Sequence, residues 1–469
     1  MYLKKHFTLT ILFCCTVFAV LAQSVIQPYK ENSRYWQYQG SPIFLFGGSD
    51  NDNLWQWKGE KLTKHLELLA SLGGNYVRNT MSDRDEGDIY AFKQLEDGKY
   101  DLEQWNEAYW EQLEFFLEET AQRDIIVQLT VWDWFDLSGP NFDRHPLNPS
   151  NNVNWEAGLI KEREDFYGGS LYDNNQPVLD LQHKYVEKLL SISFGYDHIL
   201  YNVGNESSLG AEWENYWAET MKNQAASADK QIYLTSMQLV PSNGVRHVLT
   251  YRSLYDFAEI SQNNQDSKGA RGRKHYENVL AWGRLLESDP GGIMPMNNEK
   301  IYGSADGRNY SAGHGKEAED RFWKNVFGGA ASVRFHRSEG YWGIGLSERA
   351  QKNIKAMSMF LDSFDVFRAK PYGEIKFIGD SEAYAMAELG KTYAVYFPVG
   401  RQSIELDPYL FAKKVSVRFL DIDDGEWMEE EVIDLEWEEE LSDMFGFQKG
   451  ISLTTPENKA CVAIVKILE

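Results

Sequence analysis

The stretch HILYNVGNESS, residues 198–208, decides how the chain is read. Ile199 to Val203, apolar but for Asn202, have the β-branched and aromatic content of a buried strand. The run then ends abruptly in Asn205 and Glu206. A buried strand has reason to deliver an amide and a carboxylate at its tip when that tip opens on a site. In an eight-stranded α/β barrel the site lies at the C-terminal ends of the strands.

Working outward, helical spacing flanks this strand on both sides, in QHKYVEKLLSISFG (182–195) and GAEWENYWAETMKNQAAS (210–227). The alternation continues through residues 41–367. SPIFLFGGSD (41–50), GNYVRNTMS (74–82) and DIIVQLTVWDWFD (124–136) read as strands one to three. QIYLTSM (231–237), DFAEISQNN (256–264), EKIYGSADG (299–307) and AASVRFHRS (330–338) supply strands five to eight. The patterns at 61–73, 102–123, 315–329 and 346–367 read as amphipathic helices between and after them. The fold class is therefore α/β, a (β/α)8 barrel over residues 23–367. A doubly wound open sheet is the alternative, but no GxGxxG or GxxxxGK[ST] follows any strand.

After residue 368 the period changes to two. AYAMAELGKTYAVYFPVG (383–400), KKVSVRFLDIDDGEW (413–427) and the closing CVAIVKIL alternate and break at Gly, Pro and Asp. Residues 368–469 read as a C-terminal all-β sandwich. The acidic run from Glu426 to Glu440 fits a solvated strand pair. Asp421, Asp423 and Asp424 could hold calcium, but their spacing is not that of an EF-hand loop.

The first 22 residues carry Lys4 and Lys5 before an apolar segment, Phe7 to Leu21, and small residues near Ala22. This is the pattern of a secretory signal peptide, which predicts a secreted or periplasmic protein. Cys14 and Cys15 leave with it, so Cys461 is the one thiol of the mature chain, in a strand where it reads as a small buried apolar residue. No later apolar run is long enough to span a bilayer. The net charge is −24. Such acidity repels nucleic acid and anionic lipid and favours a neutral partner. No HExxH, CxxC or GxSxG is present, so neither a zinc site nor a nucleophile elbow is signalled, and no cofactor is expected.

Polar residues at the predicted strand ends define the candidate site. They are Asp50 after strand one, Arg78 and Asn79 on strand two, and Trp132, Asp133 and Trp134 on strand three. Asn205 and Glu206 end strand four, Asn263 ends strand six, Asp306 follows strand seven, and His336 with Arg337 ends strand eight. Amides and carboxylates can bridge hydroxyl pairs while indoles cover apolar sugar faces, so this composition suits a polyhydroxylated ring. Trp55, Trp57, Trp132, Trp134 and Trp342 are the stacking candidates. Hydrolysis of a glycosidic bond needs two carboxyl groups, and Glu206 is the best proton donor. The Asn-Glu dipeptide means little by itself, since it recurs at Asn106-Glu107 and Asn298-Glu299. Glu206 could instead cap the next helix, and Asn205-Glu206-Ser207 is a formal glycosylation sequon, as is Asn309-Tyr310-Ser311.

NYVRNT at strand two, Asn-Glu at the end of strand four and the barrel-plus-sandwich layout resemble clan A glycoside hydrolases of the family 5 type. More closely, the chain resembles the apiosidase-like glycoside hydrolases, whose barrel is followed by a β-sandwich labelled a collagen-binding domain. The likeness extends over nearly all of the mature chain, including FLFGGSDNDNLWQW (44–57) and AYAMAELGKTYAVYFPVG (383–400). It implies an acid/base role for Glu206 with Asn205 as its partner, and a place for Arg78 near the second carboxylate. Such proteins carry a nucleophilic Glu at the end of strand seven. Here Gly303 follows Tyr302 where that residue is expected, and Glu299 reads as lying near the strand's start, aimed at the wrong end of the barrel. Asp306 is then the carboxylate that could reach the site, as nucleophile or as the base of an inverting reaction, with Asp50 and Asp133 as alternatives. The expectation is an exported glycoside hydrolase acting on a polysaccharide or oligosaccharide, its sandwich bracing the barrel. The rival is a non-catalytic carbohydrate-binding protein on the same scaffold.

Overall fold

Eight short parallel strands close into a ring. The computed structural model describes residues 25–207, 209–238, 241–261, 271–303, 313–339, 342–408, 412–435 and 450–468. The ring strands are β1 (Leu45–Ser49), β2 (Tyr76–Thr80), β3 (Ile126–Asp133), β4 (Ile199–Asn205), β5 (Leu234–Thr235), β6 (Ala258–Glu259), β7 (Met296–Asn297) and β8 (Ser332–His336). β2 to β5 pair in parallel in that order, as do β6 with β7 and β8 with β1. Main-chain bonds bridge the other joints. The Asn75 amide donates to the Phe46 carbonyl at 2.9 Å, Asp256 to Leu234 at 2.8 Å and Ala331 to Met296 at 2.7 Å. β1 approaches its neighbours closely because it carries Gly47 and Gly48. A Cβ there would lie 2.2 Å from the Tyr76 carbonyl oxygen and 2.3 Å from that of Gly345.

Helices α1 (Glu60–Ser71), α2 (Glu107–Ala121), α3 (Gln176–Ser193), α4 (Ala211–Ser227), α5 (Pro241–Thr250), α6 (Arg271–Glu287), α7 (Gly315–Phe327) and α8 (Glu348–Leu361) follow the strands in turn. Each lays an apolar stripe on the ring. In α2 the buried positions are Tyr109, Trp110, Leu113, Phe116, Leu117 and Thr120, the spacing of one helical face. α7 starts on a reciprocal cap, the Glu317 carboxylate accepting from the His314 amide at 3.0 Å. Two further helices, Pro140–Arg144 and Arg163–Tyr172, lie between β3 and α3.

β7 departs from the sequence reading. The ring strand is Met296–Asn297, not 299–307, so Glu299 follows it at its C-terminal end. Ile301 and Tyr302 gave the later segment its apolar look. They lie beyond the ring, where Ile301 makes a single parallel bridge to Phe335.

The chain from residue 370 onward forms two antiparallel sheets. Strands β9 (Lys370–Tyr372), β11 (Tyr384–Glu388), β12 (Thr392–Phe397), β18 (Cys461–Ile467), β14 (Lys414–Asp421) and β15 (Glu426–Trp427) lie side by side in that order, and β16 (Glu431–Asp434) also pairs with β14. β10 (Ile375–Phe377), β13 (Ser403–Leu406) and β17 (Ile451–Thr454) form the second sheet. The larger sheet is apolar on both faces. Ala385, Val395, Phe397, Ala463 and Val465 share a core with Ile404, Leu406, Ile451 and Leu453 of the smaller sheet. The alternate residues Tyr384, Met386, Ala394, Tyr396, Val462 and Ile464 join the barrel's core. The Tyr396 ring stacks on Trp323 with centroids 5.8 Å apart, and its hydroxyl donates to Asp320 at 2.8 Å. Cys461 is buried, and burial pushes its thiol up to about 12. The Lys459 ammonium lies 3.0 Å from Asp421 and 2.6 Å from Asp424.

Candidate active site

At the tip of β4, Asn205 is buried and works in two directions. Its amide nitrogen donates to Asp133 at 3.1 Å, and its oxygen accepts from the Lys300 ammonium at 2.6 Å. Lys300 also donates to Glu206 at 2.5 Å. The Glu206 side chain keeps 11% of its surface accessible, against 1% for Lys300. Glu206 sits at φ 55°, Arg337 just past β8 at φ 56°, and Trp342 at φ 78°. Left-handed backbone in residues other than glycine costs energy and persists only where surrounding structure imposes it. Here it occurs at two strand tips and in the loop that follows β8.

At the tip of β7, Glu299 is fully buried, its Oε1 2.7 Å from Nε of the equally buried Arg78. The contact is an ion pair whose N–H is not aimed at the oxygen. Burial raises the Glu299 carboxyl above its ordinary value against the pull of Arg78, Lys300 and Arg334. Arg78 also reaches Asp52 at 3.1 Å, and Asp52 accepts from Arg337 at 2.8 Å and Arg84 at 3.4 Å. Burial acts to raise Asp52, but those three arginines hold it well below the usual carboxylate range. Arg84 closes the circuit by pairing with Asp133. Deeper in the barrel, burial and the nearby Glu299 push Glu259 up to about 8.

The structure distributes the remaining sequence-selected residues unevenly. Asn79 points away from the cluster, its oxygen accepting from the Trp55 amide at 3.1 Å. Alternation along β2 accounts for this, since Arg78 faces inward. Asp50 fastens the loop after β8 by accepting from the Leu346 amide at 2.8 Å. Trp132 lies among Trp217, Tyr185 and Phe166 behind β3. Trp55 is wholly buried against Tyr109, and Trp134 lies under Arg163. Trp57 packs on His65 beneath Lys61. Trp342 is 54% exposed, and its carbonyl accepts from the Gly303 amide. His336 is buried at the end of β8, with Arg334 on Nδ1 at 3.0 Å and the Tyr302 ring 4.9 Å away. Burial and Arg334 hold it well below the usual histidine value. Asn263 and Asp306 lie outside the described residues.

Gly303 cannot be the position of a missing glutamate. It sits at φ 140°, and a Cβ would lie 2.6 Å from the His314 carbonyl oxygen and 2.8 Å from the Ala318 methyl. The acidic residue of β7 is Glu299, four places earlier. Sequence reasoning set Glu299 aside as aimed at the wrong end, placed Asp52 after strand one without a role, and did not consider Lys300 or Arg84. A signal for the first was present: the third Asn-Glu dipeptide, Asn298-Glu299, closely follows a short apolar run, IMPM (293–296).

Behind the β4 tip, Glu214 of α4 is fully buried and accepts from Ser236 at 2.6 Å. Burial pushes it up to about 7, against the Ser236 and Ser207 hydroxyls. A cavity of about 760 Å³ lies elsewhere, between α6 and the strands β9 to β11, lined by Arg34, Tyr276, Arg284, Lys370 and Tyr384 among others. It shares no residue with the strand-tip cluster. Among the described residues no group of three or more His, Cys, Asp or Glu could hold a metal ion, and no helix is long and apolar enough to cross a membrane.

A glycoside hydrolase family 5 protein from Bacteroides vulgatus superposes over 95% of this chain and 93% of its own, with a TM-score of 0.64 at 15% identity. A second protein, described as a glycoside hydrolase, superposes over 95% and 98% of the two chains, with a TM-score of 0.62 at 12% identity. A family 5 mannosidase from Rhizomucor miehei covers 73% of this chain and 99% of its own, with a TM-score of 0.51 at 10% identity. The shared property is the fold. The first two likenesses run through both the barrel and the C-terminal sheets. No protein-family model matches the chain. No curated protein sequence matches it either.

Proposed function

We propose that the protein is a glycoside hydrolase whose two working carboxyl groups are Glu206 at the tip of β4 and Glu299 at the tip of β7. One observation carries this reading. Lys300, the residue after Glu299, binds Glu206, so two different strands bring a glutamate each into one charged cluster at the C-terminal rim. Two carboxyl groups beside one glycosidic bond are what its hydrolysis requires. Three solved structures that share the fold are described as glycoside hydrolases, which supports the same reading. Glu206, the more accessible of the two, meets the leaving-group oxygen. Glu299 faces the anomeric carbon or the attacking water, with Arg78 favouring its ionised form. Asn205, Asp133 and Arg337 hold sugar hydroxyls, and the exposed Trp342 indole covers an apolar ring face. The expected substrate is a neutral polysaccharide or oligosaccharide, in keeping with the chain's acidity. The leader-like residues 1–22 make this an exported enzyme, and the C-terminal sheets, read as a sandwich, brace the barrel.

The test is a screen on plant and microbial glycans with wild type, Glu206→Gln, Glu299→Gln and Asp306→Asn. Turnover abolished in the first two and kept in the third supports this pair. Loss in Asp306→Asn with retention in Glu299→Gln moves the second role to Asp306. One observation favours a second reading, a non-catalytic glycan-binding protein. Glu299 is fully covered, so a sugar reaches it only if the groups above it move aside. Binding without turnover in the wild type supports that reading.

A further inference from the structure

Lys300 stands where a proton-donating glutamate would best be left alone. Its ammonium is 2.5 Å from Glu206 and 2.6 Å from the Asn205 oxygen, with almost no contact with solvent. A cation at that range favours the ionised carboxylate, which cannot donate a proton. In water that would silence Glu206 as an acid. Inside the protein two arrangements compete: ammonium with carboxylate, or neutral amine with carboxylic acid. Both hold the same proton, and they differ only in charge separation. Burial disfavours the charged arrangement and brings the two together in energy.

The surrounding charges set the balance. Burial lowers Lys300 most, Glu206 and Glu299 oppose that, and Arg78 adds to it. The Tyr302 hydroxyl, from the segment after β7, feels Glu206, Arg337, Arg78 and Asp52. Asp133 on β3 reaches the pair through Asn205. Arg78 is engaged by Glu299 and Asp52, so it is not placed to take over the role of Lys300.

Building on the hydrolase reading, we propose that Lys300 and Glu206 share one proton and that this pair, rather than Glu206 alone, is the acid of the reaction. As the glycosidic C–O bond breaks, its electron pair goes to the departing oxygen and the Glu299 carboxylate bonds to the anomeric carbon. That oxygen takes the proton of the Glu206 carboxyl, which has received it from the Lys300 ammonium, and Lys300 is left as a neutral amine. When water adds to the anomeric carbon, the bond to Glu299 breaks with its electron pair returning to the carboxylate, and the proton of the water returns through Glu206 to Lys300. Nothing else is consumed. Lys300 is a positioning residue here, since it reaches the reacting oxygen only through Glu206. The alkaline limit of activity then belongs to loss of the pair's last proton, above the pH at which a lone glutamate would lose it.

Two substitutions separate this from a purely structural lysine. Lys300→Arg keeps the charge but cannot release a proton near neutrality. It is expected to lower kcat about a hundredfold, in the range of general-acid catalysis, with little change in KM. Lys300→Met removes the charge and leaves Glu206 to hold its own proton. Its alkaline limb in kcat/KM is expected to move to lower pH by about 2 units. Thermal melts are the check that both variants fold. An arm independent of turnover follows the Glu206 side-chain carboxyl carbon by NMR in protein labelled with 13C-glutamate. The wild type is expected to show two titration steps and Lys300→Met one. A Lys300→Arg enzyme with wild-type kcat and profile, or one-step titration at the same pH in wild type and Lys300→Met, overturns the shared proton. Absence of turnover in the wild type overturns the hydrolase reading instead, and the NMR titration still decides whether the proton is shared.

Discussion

Arg78 on β2 and Glu299 beyond β7 meet at 2.7 Å with both side chains wholly excluded from solvent. Arg78 also binds Asp52, so one cation serves two buried carboxylates. Removing it leaves both without that partner. Arg78→Met is expected to cost about 3–5 kcal/mol, the usual result of breaking a buried pair from one side. Urea denaturation measures the loss, and a change below about 1 kcal/mol would mean that the two acids had protonated at little cost.

Gly303 carries the chain away from β7 through a conformation open only to glycine. Gly303→Ala places a methyl against the His314 carbonyl and Ala318. Backbone strain alone is worth about 1–3 kcal/mol, and the contacts add to it. A lowered Tm is expected. Unchanged stability would show that the segment can rebuild its path.

Glu214 couples stability to pH. Folded, its carboxyl keeps its proton up to about 7; its ordinary value is 4.5. Between those values the folded state binds more protons than the unfolded state, so this group lowers stability as pH rises. Glu214→Gln removes the dependence. The variant is expected to lose less stability than wild type between about pH 4.5 and about pH 7, by up to about 1.4 kcal/mol per pH unit. Denaturation curves at several pH values check the slope, and parallel curves for the two proteins would rule the idea out.

Tyr396 joins the C-terminal sheets to α7 through its stack on Trp323 and its bond to Asp320. Tyr396→Ala opens a cavity between two bodies that share one core and is expected to cost on the order of 3 kcal/mol. In calorimetry the wild type should unfold in one transition and the variant in two. A single undisplaced transition in the variant would mean that the contact carries no coupling.

Trp342 is exposed and strained, so folding gains little from it. Trp342→Ala is expected to leave Tm unchanged while raising KM for a hydrolysed glycan roughly 2- to 13-fold, matching about 0.5–1.5 kcal/mol of stacking. A fall in Tm with unchanged KM would assign it a structural role.

How far the sequence could be read follows from where its signals are local. The β4 strand announced itself because an apolar run and its polar tip are contiguous, and Arg78 fell on an inward position of a regular strand. The two-residue ring strand of β7 carries too little periodicity to fix its own phase. The apolar pair Ile301-Tyr302 drew the reading a few residues too far, which turned Glu299 toward the wrong end and made Gly303 look like a lost glutamate. Asn79 was misread in its direction only, since alternation sends neighbouring residues to opposite faces.

By itself, the sequence determined the alternation of strands and helices apart from the helices after β5 and β6, the change of period near residue 368, and the arrival of Asn205 and Glu206 at a strand end. These are properties of neighbouring residues along the chain. Tertiary structure alone decided which charges meet: Lys300 with Glu206, Arg78 with Glu299 and Asp52, Arg84 with Asp133. Those partners lie between 26 and 221 residues apart, and ring closure brings them within a few ångströms. Charge–charge energy depends on distance and burial, and neither is written in the local pattern.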